Sequence, residues 1–302
     1  MSALTSVSEA REMLEGAPGG LLEEQIVAVG DRIDTAGLEG FLRGHGTQVI
    51  TLDDGDEALM ATVCGAVQRV NKLISVRPLK SRYSADLGDV VVGRVTEIAG
   101  KRWRVNISAR QQAQLMLSAV NLPGGMQRRR TAEDELNMRT LFKEGDLISA
   151  EVQAFQADGS VALHTRSDKY GKLDGGTLVT VCPNLIKRQK HHFQALGDTG
   201  ASLILGCNGL IWVAPSAALA VDSRGAGGEA DPPSALASRE AVCRAANCIR
   251  CLASLHLPVY PAAILEAFAL SKELQLSVKD ILDPAFAVRI AEVEVERRQA
   301  QP

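Results

Sequence analysis

A chain of 302 residues has room for two or three small domains, and a hydrophobic content of 46% against 23% charged excludes a chain that is disordered throughout. Aromatic residues make up only 4%, which argues against a large aromatic core and limits how many bases side chains can stack. The net charge of −3 hides an asymmetry: residues 1–65 carry 3 Lys/Arg and 12 Asp/Glu, whereas residues 66–110 carry 10 and 3.

An acidic front followed by a basic belt predicts surfaces with different partners. No run approaches the roughly 18 consecutive apolar residues of a membrane span, so no membrane partner is expected. Met1 to Gly20 has no basic n-region and no apolar core, so no secretory signal is expected. The six cysteines then read as reduced thiols of an intracellular protein.

In chain order, residues 1–20 read as a flexible arm ending in Gly-Ala-Pro-Gly-Gly. Strand-like runs follow at Gln25–Val29, Gln48–Leu52, Leu59–Ala66 and Lys72–Leu79. Gly/Asp turns separate them, which predicts a small β domain over residues 21–83. Gly44-His45-Gly46 reads as a tight turn, with phosphate binding through its amides as the other reading.

Residues 84–168 carry five predicted strands: Val90–Ile98, Arg102–Ile107, Gln114–Ser118, Leu147–Phe155 and Val161–Leu163. Val90, Val92 and Val95 are expected on one buried face, with a bulge or bend at Gly93. A helix is expected to start at Thr131, with Asp134 at capping-box spacing and Leu136, Met138, Leu141 and Phe142 as its apolar side. Five strands with a helix between the third and fourth is the order of an OB barrel, a fold used for single-stranded nucleic acid.

After a polar, basic strap at Thr165–Lys172, residues 169–302 read as an α+β module. Strands are expected at Gly176–Val181, Ser202–Leu205 and Leu210–Val213, and a helix at Asn184–Phe193. Residues 217–235 read as a mobile Ala/Gly-rich insertion. Three helices close the chain: one capped by Ser238 and running to about Leu255, one after Pro261, and one from near Pro284. The fold class is thus multidomain, mainly β with α+β.

The candidate RNA contacts are basic. Arg128, Arg129 and Arg130 precede the expected helix N-terminus, where phosphate would be favoured; pairing with Glu133, Asp134 and Glu135 is the plainer reading. Lys101, Arg102 and Arg104 form a second patch around Trp103, which reads as a barrel anchor more readily than a base-stacking ring. Lys169 and Lys172 lie in the strap, and Lys187, Arg188 and Lys190 in the expected helix.

Gly206-Cys207-Asn208-Gly209 matches the G-x-x-G loop with which KH domains clamp an RNA backbone. It lies between two strand-like runs and holds no charge, so Gly206, Asn208 and Gly209 read as a structural turn at a domain interface. Cys243, Cys248, Cys251 and His256 match no common zinc spacing, and Asp53, Asp54 and Asp56 read as a solvated acidic turn; no metal, cofactor or catalytic residue is expected.

Long runs also resemble a known family. They include Gly40–Thr47, Val70–Ile74, Gly88–Ile98, Asn121–Gly125, Arg128–Leu136, Glu144–Gln153, Leu163–Ser167, Tyr170–Leu173 and Lys187–Lys190. Across nearly the whole chain the sequence is similar to the RNA exosome cap subunits of the ribosomal-RNA-processing protein 4 type. The resemblance implies an N-terminal β domain, an S1-type OB barrel and a KH-type module with added helices. It implies a non-catalytic subunit that binds single-stranded RNA without sequence preference. Such a subunit sits on a ring of phosphorolytic-nuclease-like proteins beside other caps, lines the RNA entry pore and serves an associated 3′–5′ exonuclease. Residence in the nucleus, including the nucleolus, and in the cytoplasm is the matching expectation. The competing readings are a free-standing translation or RNA-regulatory factor and a metal-dependent phosphodiesterase.

Overall fold

The structure is a computed structural model that describes residues 25–34, 41–51, 57–78, 81–121, 131–216 and 232–300. The chain divides into two compact units: the described residues up to Ser81 together with those from Ala287 onward, and Arg82–Phe286.

In the first unit, short strands form two antiparallel-rich sheets. One has the order β1 (Ile26–Val27), β6 (Gly65–Val70), β7 (Leu73–Pro78), β3 (Leu42–Arg43). The other has the order β2 (Arg32–Ile33), β5 (Glu57–Ala61), β4 (Thr47–Thr51). Val27, Ile33, Leu59, Ala61, Val67, Ile74 and Val76 make its core. The single strand expected over Leu59–Ala66 is two, because the chain bends between Ala61 and Gly65 to change sheets. Gly65 lets the start of β6 lie close against β7: a Cβ there would collide with the backbone of Arg77 and Pro78.

In the second unit, β8 (Val90–Ala99), β9 (Arg102–Asn106), β10 (Ala113–Val120), β11 (Leu147–Phe155) and β12 (Val161–Thr165) form a barrel. It closes because β12 pairs parallel with β10 and antiparallel with β11. Trp103, Ile107, Leu115, Ile148 and Leu163 are fully buried inside it. Trp103 meets Phe142 edge-on at 5.4 Å between centroids, and its indole N–H donates to the Phe142 carbonyl at 3.1 Å.

The helix between the third and fourth strands is two short pieces, α1 (Ala132–Leu136) and α2 (Met138–Leu141). The expected cap is formed, with Thr131 N–H donating to the Asp134 carboxylate at 2.9 Å. Leu136 does not join the apolar side; it is 84% exposed, while Met138 and Phe142 are buried.

Strand β8 corrects the expectation of one buried face. Val91 and Val95 enter the barrel core, while Val92 packs outward against the following module. The register shift lies between Val95 and Glu97 and not at Gly93. Gly93 serves close packing instead: a Cβ there would strike Val105 and come within 3.0 Å of Ile107 Cγ2. Gly93→Ala is therefore expected to cost about 1–3 kcal/mol, from overpacking, and urea denaturation of the full chain measures it.

The rest of this unit is an antiparallel sheet in the order β14 (Thr177–Thr180), β17 (Leu210–Pro215), β16 (Ala201–Leu205), β15 (Phe193–Ala195). The strap supplies β13 (Gly171–Lys172), which pairs with β11. Helix α3 (Pro232–Ser254) packs across β14, β16 and β17 and against α4 (Pro261–Glu273); α5 spans Pro284–Ala300. Helix α3 starts six residues before the expected Ser238 cap, because prolines at a first helical turn remove only N–H groups that have no intrahelical acceptor.

The helix expected over Asn184–Phe193 is not formed. After one 3-10 turn at Pro183–Leu185, Ile186 is extended and bridges Val259, and Val259 N–H donates to the Leu185 carbonyl at 2.7 Å. The Leu185 carbonyl, which a helix would pair internally, is taken by Val259. Among the described residues no helix is long and apolar enough to cross a membrane.

Candidate nucleic-acid interface

Alternation along β9 turns Trp103 and Val105 inward and Arg102 and Arg104 outward. On β10, Met116 lies opposite Arg102 and Gln114 opposite Arg104. Arg102 donates to Gln114 Oε1 at 2.7 Å, and Gln114 Nε2 donates to Ser160 Oγ at 3.0 Å. That chain of bonds holds the guanidinium against the sheet. Met116 is partly exposed beside it, and Phe155, where β11 meets the 156–160 turn, is half exposed. A cation, an amide and the unshielded Met116 on the second and third strands of an OB barrel, with Phe155 at the end of the fourth, form a surface suited to an oligonucleotide.

The other sequence candidates are distributed differently. Arg104 pairs with Glu97 at 2.8 Å, both exposed, and Lys101 with the half-buried Glu135 at 2.7 Å. Such pairs are worth little and yield readily to a phosphate. Arg128, Arg129 and Arg130 lie outside the described residues, as do Asp53, Asp54 and Asp56. Lys187 sits 5.7 Å from the centre of the Tyr260 ring, and Lys190 is exposed.

Arg188 is held at the surface by two carboxylates of the chain. It donates to Asp89 Oδ1 at 2.9 Å and to Asp86 Oδ2 at 2.5 Å. Asp89 is buried and also accepts from Tyr83 O–H at 2.7 Å and from the Asp86 N–H at 3.1 Å. Burial, reinforced by the bond to the Asp89 carboxylate, raises the Tyr83 phenol well above its ordinary value. Sequence reasoning missed Tyr83 and Asp89; the only signal was an acid just ahead of a Val-rich strand.

The G-x-x-G segment is the hairpin turn between β16 and β17, with Gly209 at φ +85°. Asn208 is almost wholly buried and points into the barrel wall: its Nδ2 donates to the carbonyls of Val92 at 2.7 Å and Ile107 at 2.9 Å. Cys207 N–H donates to the Val90 carbonyl at 2.9 Å. Around this turn Val92 and Leu147 of the barrel pack with Ile204, Leu210, Trp212 and Phe193 of the sheet. The turn fastens two modules, and its backbone faces protein.

The strap gathers two further candidates. Lys169 Nζ lies 4.7 Å from the centre of the Tyr170 ring, and Lys172 Nζ is 3.5 Å from both Asp146 and Asp174. Both lysines line a cavity of about 290 Å³ whose walls include Ser149, Tyr170 and Trp212.

The thiols are dispersed. Burial pushes Cys248 and Cys251 up to about 12 and Cys207 up to about 11, while Cys243 is exposed. Among the described residues no three His, Cys, Asp or Glu side chains are grouped as metal ligands.

Comparison with known proteins agrees with this layout. The profile described as RRP4, S1 domain matches residues 82–154, and a KH domain profile matches residues 176–219. The chain is 48% identical to the exosome complex component RRP4 of Bos taurus, over 96% of this chain and 94% of the relative. It is 47% identical to the Mus musculus protein of the same name, over 96% and 95%. It is 43% identical to the Arabidopsis thaliana RRP4 homolog, over 96% and 92%.

Proposed function

This chain belongs to the RRP4 family of exosome components, and on that premise we propose that it is a non-catalytic, RNA-binding cap subunit of an RNA exosome. It holds single-stranded RNA at the entry to the complex and leaves cleavage to an associated nuclease. The observation that carries RNA contact is the outward face of β9 and β10, where Arg102, Arg104 and Gln114 lie beside Met116. Guanidinium groups meeting phosphates give affinity without base specificity.

Attachment to a ring of partner subunits is assigned to the first unit. Leu42 lies opposite Leu73, and Leu73 opposite Val70, across β3, β7 and β6. All three side chains are exposed, making an apolar row on one sheet that suits a protein partner.

Affinity purification of the tagged full chain, with mass spectrometry of what elutes, tests the assignment. Ring subunits are expected in the eluate, and their absence sinks the proposal. With the recovered complex, Arg102→Gln with Arg104→Gln is expected to flatten the salt dependence of oligo(U) binding by about 1.4 in log–log slope, two single-strand phosphate contacts at roughly 0.7 each. An unchanged slope moves RNA off this face.

A further inference from the structure

We propose that Arg94, Asn106 and Gln112 form a further row of the RNA-binding face, in which Arg94 holds a backbone phosphate and the two amides meet the adjoining nucleotide; this rests on the RNA-binding reading above. Strand register puts the three in line. Arg94 on β8 lies opposite Asn106 on β9. Ala113 at the start of β10 lies opposite Val105, so Gln112, one residue earlier, comes level with Asn106. Val95 and Val105 belong to the barrel core, so Arg94 and Asn106, their neighbours along each strand, point outward. All three side chains are exposed.

The row offers more donors than the protein uses. Arg94 donates to the Gly145 carbonyl at 3.1 Å, and among the described residues it is paired with no carboxylate. That bond fixes the guanidinium on the barrel wall and leaves its other N–H groups for an anion. Arg104, by contrast, must give up Glu97 to meet a phosphate. Asn106 Oδ1 accepts from the Ser108 N–H at 2.9 Å, and Gln112 Oε1 accepts from the Thr96 O–H at 3.5 Å. With the oxygens used in this way, each amide NH2 is left for an acceptor on a ligand. Phosphate oxygens, ribose hydroxyls and base edges of an unpaired strand are all acceptors of this kind.

Spacing favours RNA as the occupant. Arg102, Arg104 and Asn106 are successive outward residues of β9, about 7 Å apart along the strand. Arg94 stands one strand to the side of Asn106, about 5 Å away. The guanidinium groups of Arg102, Arg104 and Arg94 therefore follow one another in steps of about 7–8 Å at the backbone, which long side chains can match to consecutive phosphates of an extended strand. The third step also sets a direction. On its other side Arg94 lies opposite Leu147 of β11, which packs with Ile204, Leu210 and Trp212 of the following sheet. A strand running from Arg102 through Arg104 to Arg94 is led across the barrel towards its junction with that sheet.

The test measures oligo(U) binding to the recovered complex over a range of salt. Arg94→Gln is expected to flatten the log–log slope by about 0.7, one single-strand phosphate contact, and Arg94→Lys to keep the slope of the unaltered protein. Added to R102Q/R104Q, R94Q is expected to bring the total flattening to about 2.1. Gln112→Ala is expected to weaken binding several-fold at constant slope, because a neutral amide releases no counterion. An unchanged slope in R94Q, where R102Q/R104Q flattens it, overturns this row and leaves RNA binding on the β9–β10 face intact. Equal flattening by R94Q and R94K also overturns it, since the loss then follows the Gly145 bond and not the charge. Undiminished binding by Q112A overturns the part given to the amides. Depletion of a partner subunit from the R94Q complex at an unchanged slope overturns the row in favour of a protein contact. No oligo(U) retained by the unaltered complex at any salt removes the RNA-binding reading and this row with it.

Discussion

Replacing Asn208 with Ala is expected to destabilise the barrel–sheet unit by about 3–4 kcal/mol, a large loss for a single residue of a hairpin turn. The carboxamide reaches from the β16–β17 turn to two carbonyls of the barrel, Val92 on β8 and Ile107 just past the end of β9. It also accepts weakly from the Val92 N–H at 3.4 Å. Truncation leaves these buried groups without partners, and each unmade bond costs about 1–3 kcal/mol. Asn208→Asp separates hydrogen bonding from bulk, because a carboxylate would face two carbonyl oxygens as acceptor against acceptor. Burial and those oxygens raise its pKa in the folded chain above the unfolded value of about 3.9. A raised folded pKa means stability is lost as pH climbs above the unfolded value. N208D should therefore fall further below N208A as pH rises from about 4 towards neutrality. Urea midpoints of both variants measured across that range test this; parallel curves would show that the side chain carries no such bonds.

The same turn shows why some of the structure was readable in the residues and some was not. Strand order in the barrel follows from alternation and turn composition, which are local, so β8 to β12 fall where the pattern puts them. Thr131 with Asp134 marks a helix start for the same reason. What the pattern does not carry is the identity of the neighbour. Val90 to Val92 read as a strand with one covered face, yet Val92 is buried by Ile204 and Trp212, more than 100 positions away. Basic residues suffer the same loss. Arg188 sits in a Lys/Arg-rich run that reads as an RNA-facing helix, but its acceptors are Asp86 and Asp89, and the run is extended because Val259 takes its hydrogen bonds. Lys169 and Lys172 were nominated for charge; only the folded strap places them on one cavity.

Removal of the Asp89 carboxylate is the other change expected to have a large effect, about 3 kcal/mol for Asp89→Ala. Asp89 is 6% exposed and serves three donors: Tyr83 O–H, the Asp86 N–H and the Arg188 guanidinium. Arg188 is 60% exposed, so water compensates it when its partner is lost, and the penalty falls mainly on Tyr83 and the backbone amide. By that reasoning Arg188→Met, which keeps the apolar stem, should cost roughly 1–2 kcal/mol, less than removing the acid. The two losses should not add, since each variant breaks the same bond. Tyr83 supplies an independent readout. Its phenol is raised in the folded chain, so its contribution is complete below the unfolded value of about 10 and is lost as pH climbs beyond it. Tyr83→Phe should weaken the chain near neutrality, by loss of one buried bond, while removing this part of its alkaline sensitivity. Thermal unfolding of D89A, R188M, the double variant and Y83F between pH 7 and about pH 11 resolves all of these. Equal losses for D89A and R188M would place the energy in the exposed ion pair, contrary to the screening expected at a largely solvated guanidinium.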